Sequence, residues 1–468
     1  MKKSIISVLL VLVLTLSFLG CKNNNKESID QLEMNKETMP SYLDSTAENS
    51  FIIGLWCQVP YYKYEIDENG DRVGEALEWT DEELLLNYQN LKEAGINLTF
   101  IGVSNSDYVR HLNSAEEVGI KTLIDDAQFK NLLFDQSITD EEAISQAQEL
   151  ICRYKDYKCF YGHHIVDEPS SIRFEEIKRA EKRYSQIFPD KLFYINLFPS
   201  YSNGNQRGTT TYREYLEKYM DIMDLDYLCY DHYPLFENTD GSTRMQDSFL
   251  YNMSVAQQSA DGADVWTFLQ SIGYASKKDP NCVEDVRIQS NSALAFGLKG
   301  VFWFIYWTIG RGGENFTNGC INWDGSKTHR YEYIKQAGNE IHSLWNVLEN
   351  FEWQRVMTYI GSDNDSDENP SFSLLETNNV HERIYSVTTT KDTFAGVFKD
   401  GEGRDGFMFV NYDSPSSTET NVVNVQFRNC TQAIVYINGE RKQVNVNNGA
   451  ISVELKASDA MFIIPLYI

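Results

Sequence analysis

Positive charge is what this chain is shortest of: 41 Lys and Arg stand against 68 Asp and Glu, a formal charge of −27 over 468 residues. A field of that sign repels phosphate backbones and polyanions, so nucleic acid is not expected as a partner, and neutral glycans or peptides approach more freely. Catalytic signatures are scarce too. No Gly-x-Ser-x-Gly elbow, His-Glu-x-x-His helix or Walker loop occurs, which argues against an esterase, a metalloprotease or a nucleotide enzyme. Cysteine is sparse. Apart from Cys21, the seven thiols (Cys57, Cys152, Cys159, Cys229, Cys282, Cys320, Cys430) are odd in number and lack metal-ligand spacing. They read as buried core thiols, and neither metal nor cofactor is expected.

What the chain has in plenty is aromatic surface, with 28 Tyr, 25 Phe and 8 Trp, enough for a large core and for sugar-stacking faces. From Phe51 to about Leu348 the pattern alternates between strand and helix. Apolar runs occur at Phe51–Trp56, Ile96–Val103, Ile120–Ile124, Cys159–Val166, Leu192–Leu197, Tyr227–Tyr233, Val265–Leu269 and Gly300–Trp307. Amphipathic segments such as Thr80–Ala94, Asp140–Tyr154, Ser170–Ile187, Thr211–Met223, Met245–Ala260 and Cys282–Leu298 lie between them. Strands apolar on both faces suit a parallel sheet filled inside and covered outside, and eight of them suit a closed (β/α)8 TIM barrel. An open doubly wound sheet would want a glycine-rich phosphate loop after the first strand, and none is there. After Leu348 short β-rich segments are separated by turns such as Asn438-Gly439 and Asn448-Gly449, the pattern of a small all-β sandwich. The expected division is therefore an α/β barrel over residues 51–350 followed by a sandwich over 351–468. The polar loop 362–369 reads as solvated, because its acids lack the ordered spacing of a calcium loop.

The N-terminus predicts the location. Met1-Lys2-Lys3 is basic, Ile5–Leu16 is apolar and too short to span a bilayer, and Gly20-Cys21 follows. This resembles a bacterial lipoprotein signal, which implies removal of residues 1–20 and lipidation of Cys21. Residues 21–50 would then be a flexible tether and the cell envelope the site of action, with the lipid anchor as the only membrane contact.

The clearest clue to chemistry is Tyr161-Gly162-His163-His164-Ile165-Val166-Asp167-Glu168-Pro169, a strand that stops at two adjacent carboxylates. Pro169-Ser170-Ser171 can open a helix, so the pair falls at a strand-to-helix junction, the catalytic face of such barrels. Two acids there could equally cap the helix. His163 and His164 point to opposite faces of strand four, so at most one faces the barrel interior.

Taken in order, Asp167-Glu168-Pro169, the strand-six segment Leu225–Pro234, the strand-eight segment Gly300–Trp307 and the link Asn322–Tyr331 resemble the barrel glycoside hydrolases, in particular the clan whose acid/base Glu follows strand four. The resemblance implies an oligo- or polysaccharide substrate and Glu168 as proton donor, and the sandwich resembles the β domain often appended to such barrels. Trp56, His232, Tyr233, Trp303 and Trp307 become candidate sugar contacts, Trp307 as the better stacking platform because it lies nearer the C-terminal end of its strand.

The pattern departs from the family at strand seven, where a nucleophilic Glu would stand. Asp264–Ser271 ends instead in Gln270, which is not a carboxylate nucleophile and is left as a substrate contact. Three readings follow. In one the substrate supplies its own nucleophile, since the adjacent Asp-Glu pair also resembles enzymes of 2-acetamido sugars, with Asp167 orienting the acetamido group. Another carboxylate can serve, with Asp231 ahead of Asp125, Asp126 and Glu314. Or the site is a noncatalytic glycan-binding one.

Overall fold

The computed structural model describes residues 40–44, 50–56, 59–310, 313–366 and 368–467. The signal segment, Cys21 and most of the tether lie outside them. Residues from Thr46 onward form one compact unit, and the 3-10 turn Ser41–Asp44 belongs to a separate one.

Eight parallel strands make the barrel: β1 Ile52–Leu55, β2 Leu98–Gly102, β3 Lys121–Asp125, β4 Phe160–Asp167, β5 Leu192–Asn196, β6 Tyr227–Asp231, β7 Asp264–Gln270 and β8 Gly300–Phe304. The sheet runs β5-β4-β3-β2-β1-β8-β7-β6. Its two ends meet where Leu197 bridges Tyr230, the Leu197 N–H donating to the Cys229 carbonyl at 2.8 Å, so the ring closes. Aromatic rings fill the interior: Phe100, Tyr194, Tyr227, Trp266, Phe268 and Phe302 pack with Ile52, Leu98 and Leu123. Gly54 on β1 makes room for this, because a Cβ there would sit 2.3 Å from the Phe302 ring.

The helices start where the side chains can cap them. Thr80, Thr139 and Thr211 each form a reciprocal capping box, with Glu83, Glu142 and Glu214, ahead of the helices Asp81–Glu93, Asp140–Leu150 and Tyr212–Met223. The junction after β4 differs from expectation. Ser170 makes no cap bond; a 3-10 turn, Ser171–Arg173, comes first, and the helix runs Phe174–Ile187. Neither Asp167 nor Glu168 therefore stands at the start of that helix.

Beyond the barrel helix His329–Leu348, two antiparallel sheets form the second domain. The larger comprises Phe351–Tyr359, Thr393–Asp400, Asp405–Asn411, Ala460–Tyr467, Cys430–Ile437 and Glu440–Lys442 in spatial order, the smaller Ile384–Thr389, Asn421–Phe427 and Ala450–Leu455. Alternate residues such as Phe407, Phe409, Val423, Val425, Ile451 and Met461 meet between them. The helix Val283–Ala295 lies between barrel and sandwich and is buried along nearly its whole length. Its Arg287 reaches Glu340 of the last barrel helix at 2.7 Å and Asp459 of the sandwich at 3.3 Å.

One irregularity positions the site. Against β5, β4 pairs His164 with Tyr194, then Val166 with Ile195 and Asp167 with Asn196, so Ile165 is an extra residue in the ladder. His164 faces the interior, packed on Trp56 and Phe100, while His163 faces the helices, with its nitrogens 2.9 Å from the Tyr154 hydroxyl and 3.2 Å from that of Tyr184. Plain alternation from His164 would turn Asp167 outward. The bulge resets the parity and brings Asp167 back to the barrel mouth.

Candidate active site

Three carboxyl groups converge where β4, β5 and β6 end. Asn196, the last residue of β5, sits among them, its Nδ2 donating to Asp167 Oδ1 at 3.0 Å and to Asp231 Oδ1 at 3.4 Å. Glu168 follows directly on Asp167 with φ at +44°, a left-handed backbone that a residue bearing a Cβ adopts at a cost, and its N–H is fixed by the Asn196 carbonyl at 2.8 Å. That conformation turns the Glu168 side chain into the cavity wall it shares with Asp231, where the two carboxyls act on each other's ionisation.

Carboxyl groups crowded on one poorly solvated wall resist ionising together. Burial and then the neighbouring Asp167 charge raise Glu168 to about 7, against a smaller lowering effect of Asp231. Asp231, 5% exposed, is raised well above the ordinary carboxylate range by burial, then by Glu168 and Asp167. The pair therefore keeps a proton at neutral pH, and Glu168, the more accessible partner, presents it to the cavity.

That cavity, about 470 Å³, opens at the C-terminal end of the barrel. Its polar wall holds Asp167, Glu168, Asn196, Asp231, Lys277 and Glu314, its apolar wall Trp56, Tyr201, Tyr233, Phe268, Tyr274 and Phe304. Tyr233 packs edge-on to Tyr274 and against Phe304, with centroids 5.7 and 5.1 Å away. Convergent polar groups between half-exposed aromatic faces are what a ring with an apolar face and hydroxyl edges needs.

The structure brings Glu168, Asp167, Asp231, Trp56 and Tyr233 together, and Glu314 with them. It does not bring the others. Gln270 is fully buried and its amide is spent: Oε1 accepts from Leu235 N at 2.9 Å, and Nε2 donates to the carbonyls of Ile272 and Lys278 at 3.0 and 2.7 Å. It braces the loops after β6 and β7 instead of facing a ligand. His232 is buried, with Nδ1 3.0 Å from Asn252 Oδ1 of the next helix. Trp303 and Trp307 are core residues, 0% and 1% exposed. On β8 the inward face carries Phe302 and Phe304, so Trp303 points to the outer layer, and Trp307 lies past the strand's end, bridged to Ile321. Asp126 caps the helix Ala127–Phe134 and binds Arg153 at 2.5 Å, while Asp125 holds Lys130 at 2.5 Å; neither lines the cavity. Among the described residues no group of three or more His, Cys, Asp or Glu could hold a metal ion.

Asn196, Tyr201, Phe268, Tyr274, Lys277 and Phe304 line the site without having been foreseen. Asn196 had a signal, a polar residue ending an apolar strand just as Asp167 ends its own. Lys277 had none, because its place depends on how the loop after β7 folds back to bridge Tyr274.

Residues 205–344, under a third of the chain, match the profile of the β-galactosidase family of glycoside hydrolases (Glyco_hydro_42). No curated protein matches the sequence. A solved structure described as a glycoside hydrolase superposes with a TM-score of 0.52 at 12% identity, covering 88% of this chain and 92% of its own. The β-galactosidase of the psychrophilic Marinomonas ef1 superposes with a TM-score of 0.44 at 11% identity over 63% of this chain, which spans only 60% of that protein's length. The family match supports a glycosidase, and the solved structure at 0.52 supports the barrel fold for it.

Proposed function

We propose that the protein is a glycoside hydrolase in which Glu168 protonates the departing glycosidic oxygen. The observation that carries this reading is the half-buried Glu168 beside the buried Asp231 at the mouth of the barrel, where burial and neighbouring carboxyls favour a carboxylic proton near neutral pH beside an aromatic cleft. A glycosidic oxygen is a poor leaving group, and an acid held at about 7 can deliver its proton at the working pH and be reprotonated afterwards. Asp231, whose own proton burial retains, favours the Glu168 carboxylate as Glu168 gives up its proton and so keeps the charge from being stranded.

The second catalytic group does not come from β7, since Gln270 is occupied. Asp167 takes that part. Exposed at the rim and oriented by Asn196 Nδ2, it aligns a nucleophile on the sugar: the substrate's own 2-acetamido oxygen, or a water in its absence. The substrate is an oligo- or polysaccharide, with galactosides to be tried first on the strength of the family match. The place of action is the cell envelope, through a lipid on Cys21, a reading supported by the sequence of the first 21 residues. Loss of fatty-acid labelling in Cys21→Ala tests that part.

Release of reducing sugar from neutral and N-acetylated oligosaccharides, by the chain and by its Glu168→Gln variant, tests the activity. Cleavage that disappears in the variant is the expected result, with the sugar cleaved deciding which nucleophile Asp167 serves. Glycan binding without cleavage by either protein would leave a carbohydrate-binding barrel.

A further inference from the structure

Two consecutive lysines follow β7, and the fold treats them in opposite ways. Lys278, 6% exposed, meets the carboxylate of Asp285 at 3.0 Å, and Asp285 is held in turn by Thr243 Oγ1 and the Asn281 N–H. Lys277 lines the same cavity as Glu168 and, among the described residues, has only neutral hydrogen-bond partners, the Tyr233 carbonyl and Gln246 Oε1. Its ammonium stands over the faces of Phe236, 4.1 Å from the centroid, and Tyr201, 4.9 Å away. Arg244, exposed and 5.0 Å from the same Phe236 ring, adds a second cation that has no carboxylate partner among the described residues.

A half-buried ammonium costs solvation energy unless it is paired, and in a chain carrying a net charge of −27 carboxylates are abundant. Lys278 shows that the helix following this loop can supply one. Two aromatic faces flank the Lys277 ammonium and two neutral oxygens accept from it, leaving one N–H and a positive charge with no anionic hydrogen-bond partner for the cavity. Burial and then Arg244 lower Lys277 to about 8, so it is still a cation at neutral pH, and Asp231 is the carboxyl that favours its charge, too weakly to offset them. Both the place and the charge of Lys277 suit an anion brought in by the substrate.

We propose that Lys277, seconded by Arg244, forms a subsite for an anionic substituent on the sugar, a uronate carboxylate or a sulfate ester, and that this is the substrate class of the site. The inference rests on the glycoside hydrolase reading and sharpens it. The overall negative field of the chain suits a glycan carrying isolated anionic groups, since a dense polyanion would be repelled before the local cations could act.

Binding to the full-length Glu168→Gln variant separates this from catalysis. Three matched oligosaccharide sets, in galacto and gluco series, differ only in bearing a C6 carboxylate, a C6 sulfate or a C6 hydroxyl. An anionic member should bind at least about 10-fold more tightly than its neutral match, the gain expected of a hydrogen bond to a charged group. Adding Lys277→Met should erase most of that ratio, Lys277→Arg should keep it, Arg244→Gln should reduce it less, and 0.5 M salt should narrow it. Carboxylate against sulfate names the source of the anion. Equal binding of the neutral sugar, no binding of either anion, or a ratio that survives Lys277→Met with the fold intact by circular dichroism would overturn the proposal. Selective binding of an anionic sugar that the unaltered chain never cleaves would keep the subsite and remove the hydrolase reading.

Discussion

The ends of β4 and β7 occupy equivalent places on the rim of one barrel and do opposite work. At β4 a bulge and a left-handed Glu168 turn two carboxyls into the cavity, where burial and mutual repulsion hold a proton on them. At β7 the chain also ends in a polar residue facing the mouth, but every polar atom of the Gln270 amide is bonded to backbone and the residue is sealed from solvent. Polarity at the end of a strand is therefore not enough to make a site. What separates the two is whether local hydrogen bonds are left incomplete, so that a proton or a ligand must finish them.

Substitutions that exchange these roles test the contrast. Glu168→Gln keeps shape and removes the proton; kcat on an unactivated substrate should fall about 10³-fold. Asp231→Asn removes the titrating carboxyl that acts on Glu168, and should reduce kcat about 10- to 100-fold while moving the basic limb of the pH profile. That limb should lie near 7 in the unaltered protein, kcat/KM falling about tenfold per pH unit above it, because activity needs Glu168 protonated.

At the other end, Gln270→Glu should not create the missing nucleophile. Its carboxylate would face the Ile272 and Lys278 carbonyls with no N–H to offer them, costing about 3 kcal/mol in chemical denaturation with no gain in turnover. A gain in activity would break the contrast outright.

The smallest effect concerns stability. Glu168 binds its proton more tightly when folded, at about 7 against 4.5, so its contribution to stability is complete below pH 4.5 and is lost as the pH rises through about 7. Glu168→Gln is free of that loss. It should melt about 1–3 °C above the unaltered protein at pH 8 and show no such gain at pH 4, by calorimetry.

The barrel strands were legible because a parallel strand covered on both sides leaves an unbroken apolar run, and all eight runs fall within a few residues of β1–β8. The exposed hairpin Tyr62–Ile66 and Arg72–Glu78 was not, since every residue of its second strand faces solvent and leaves no hydrophobic period to read. Within the site, chain position gave Asp167, Glu168 and Asp231 but not rotation about the strand. The bulge at Ile165 is invisible in the residue pattern, and on β8 the choice of Trp303 over Phe304 selected the wrong face. Lys277 and Tyr274 needed the loop after β7 to be seen folded.

The most direct test of Glu168 as the proton donor compares leaving groups. On a glycoside of the cleaved sugar with a dinitrophenyl leaving group, which departs without protonation, the loss in Glu168→Gln should shrink from about 10³-fold to under about 10-fold. An equal loss on activated and unactivated substrates would contradict the account, because it would give Glu168 a role in holding the site together and none in delivering the proton.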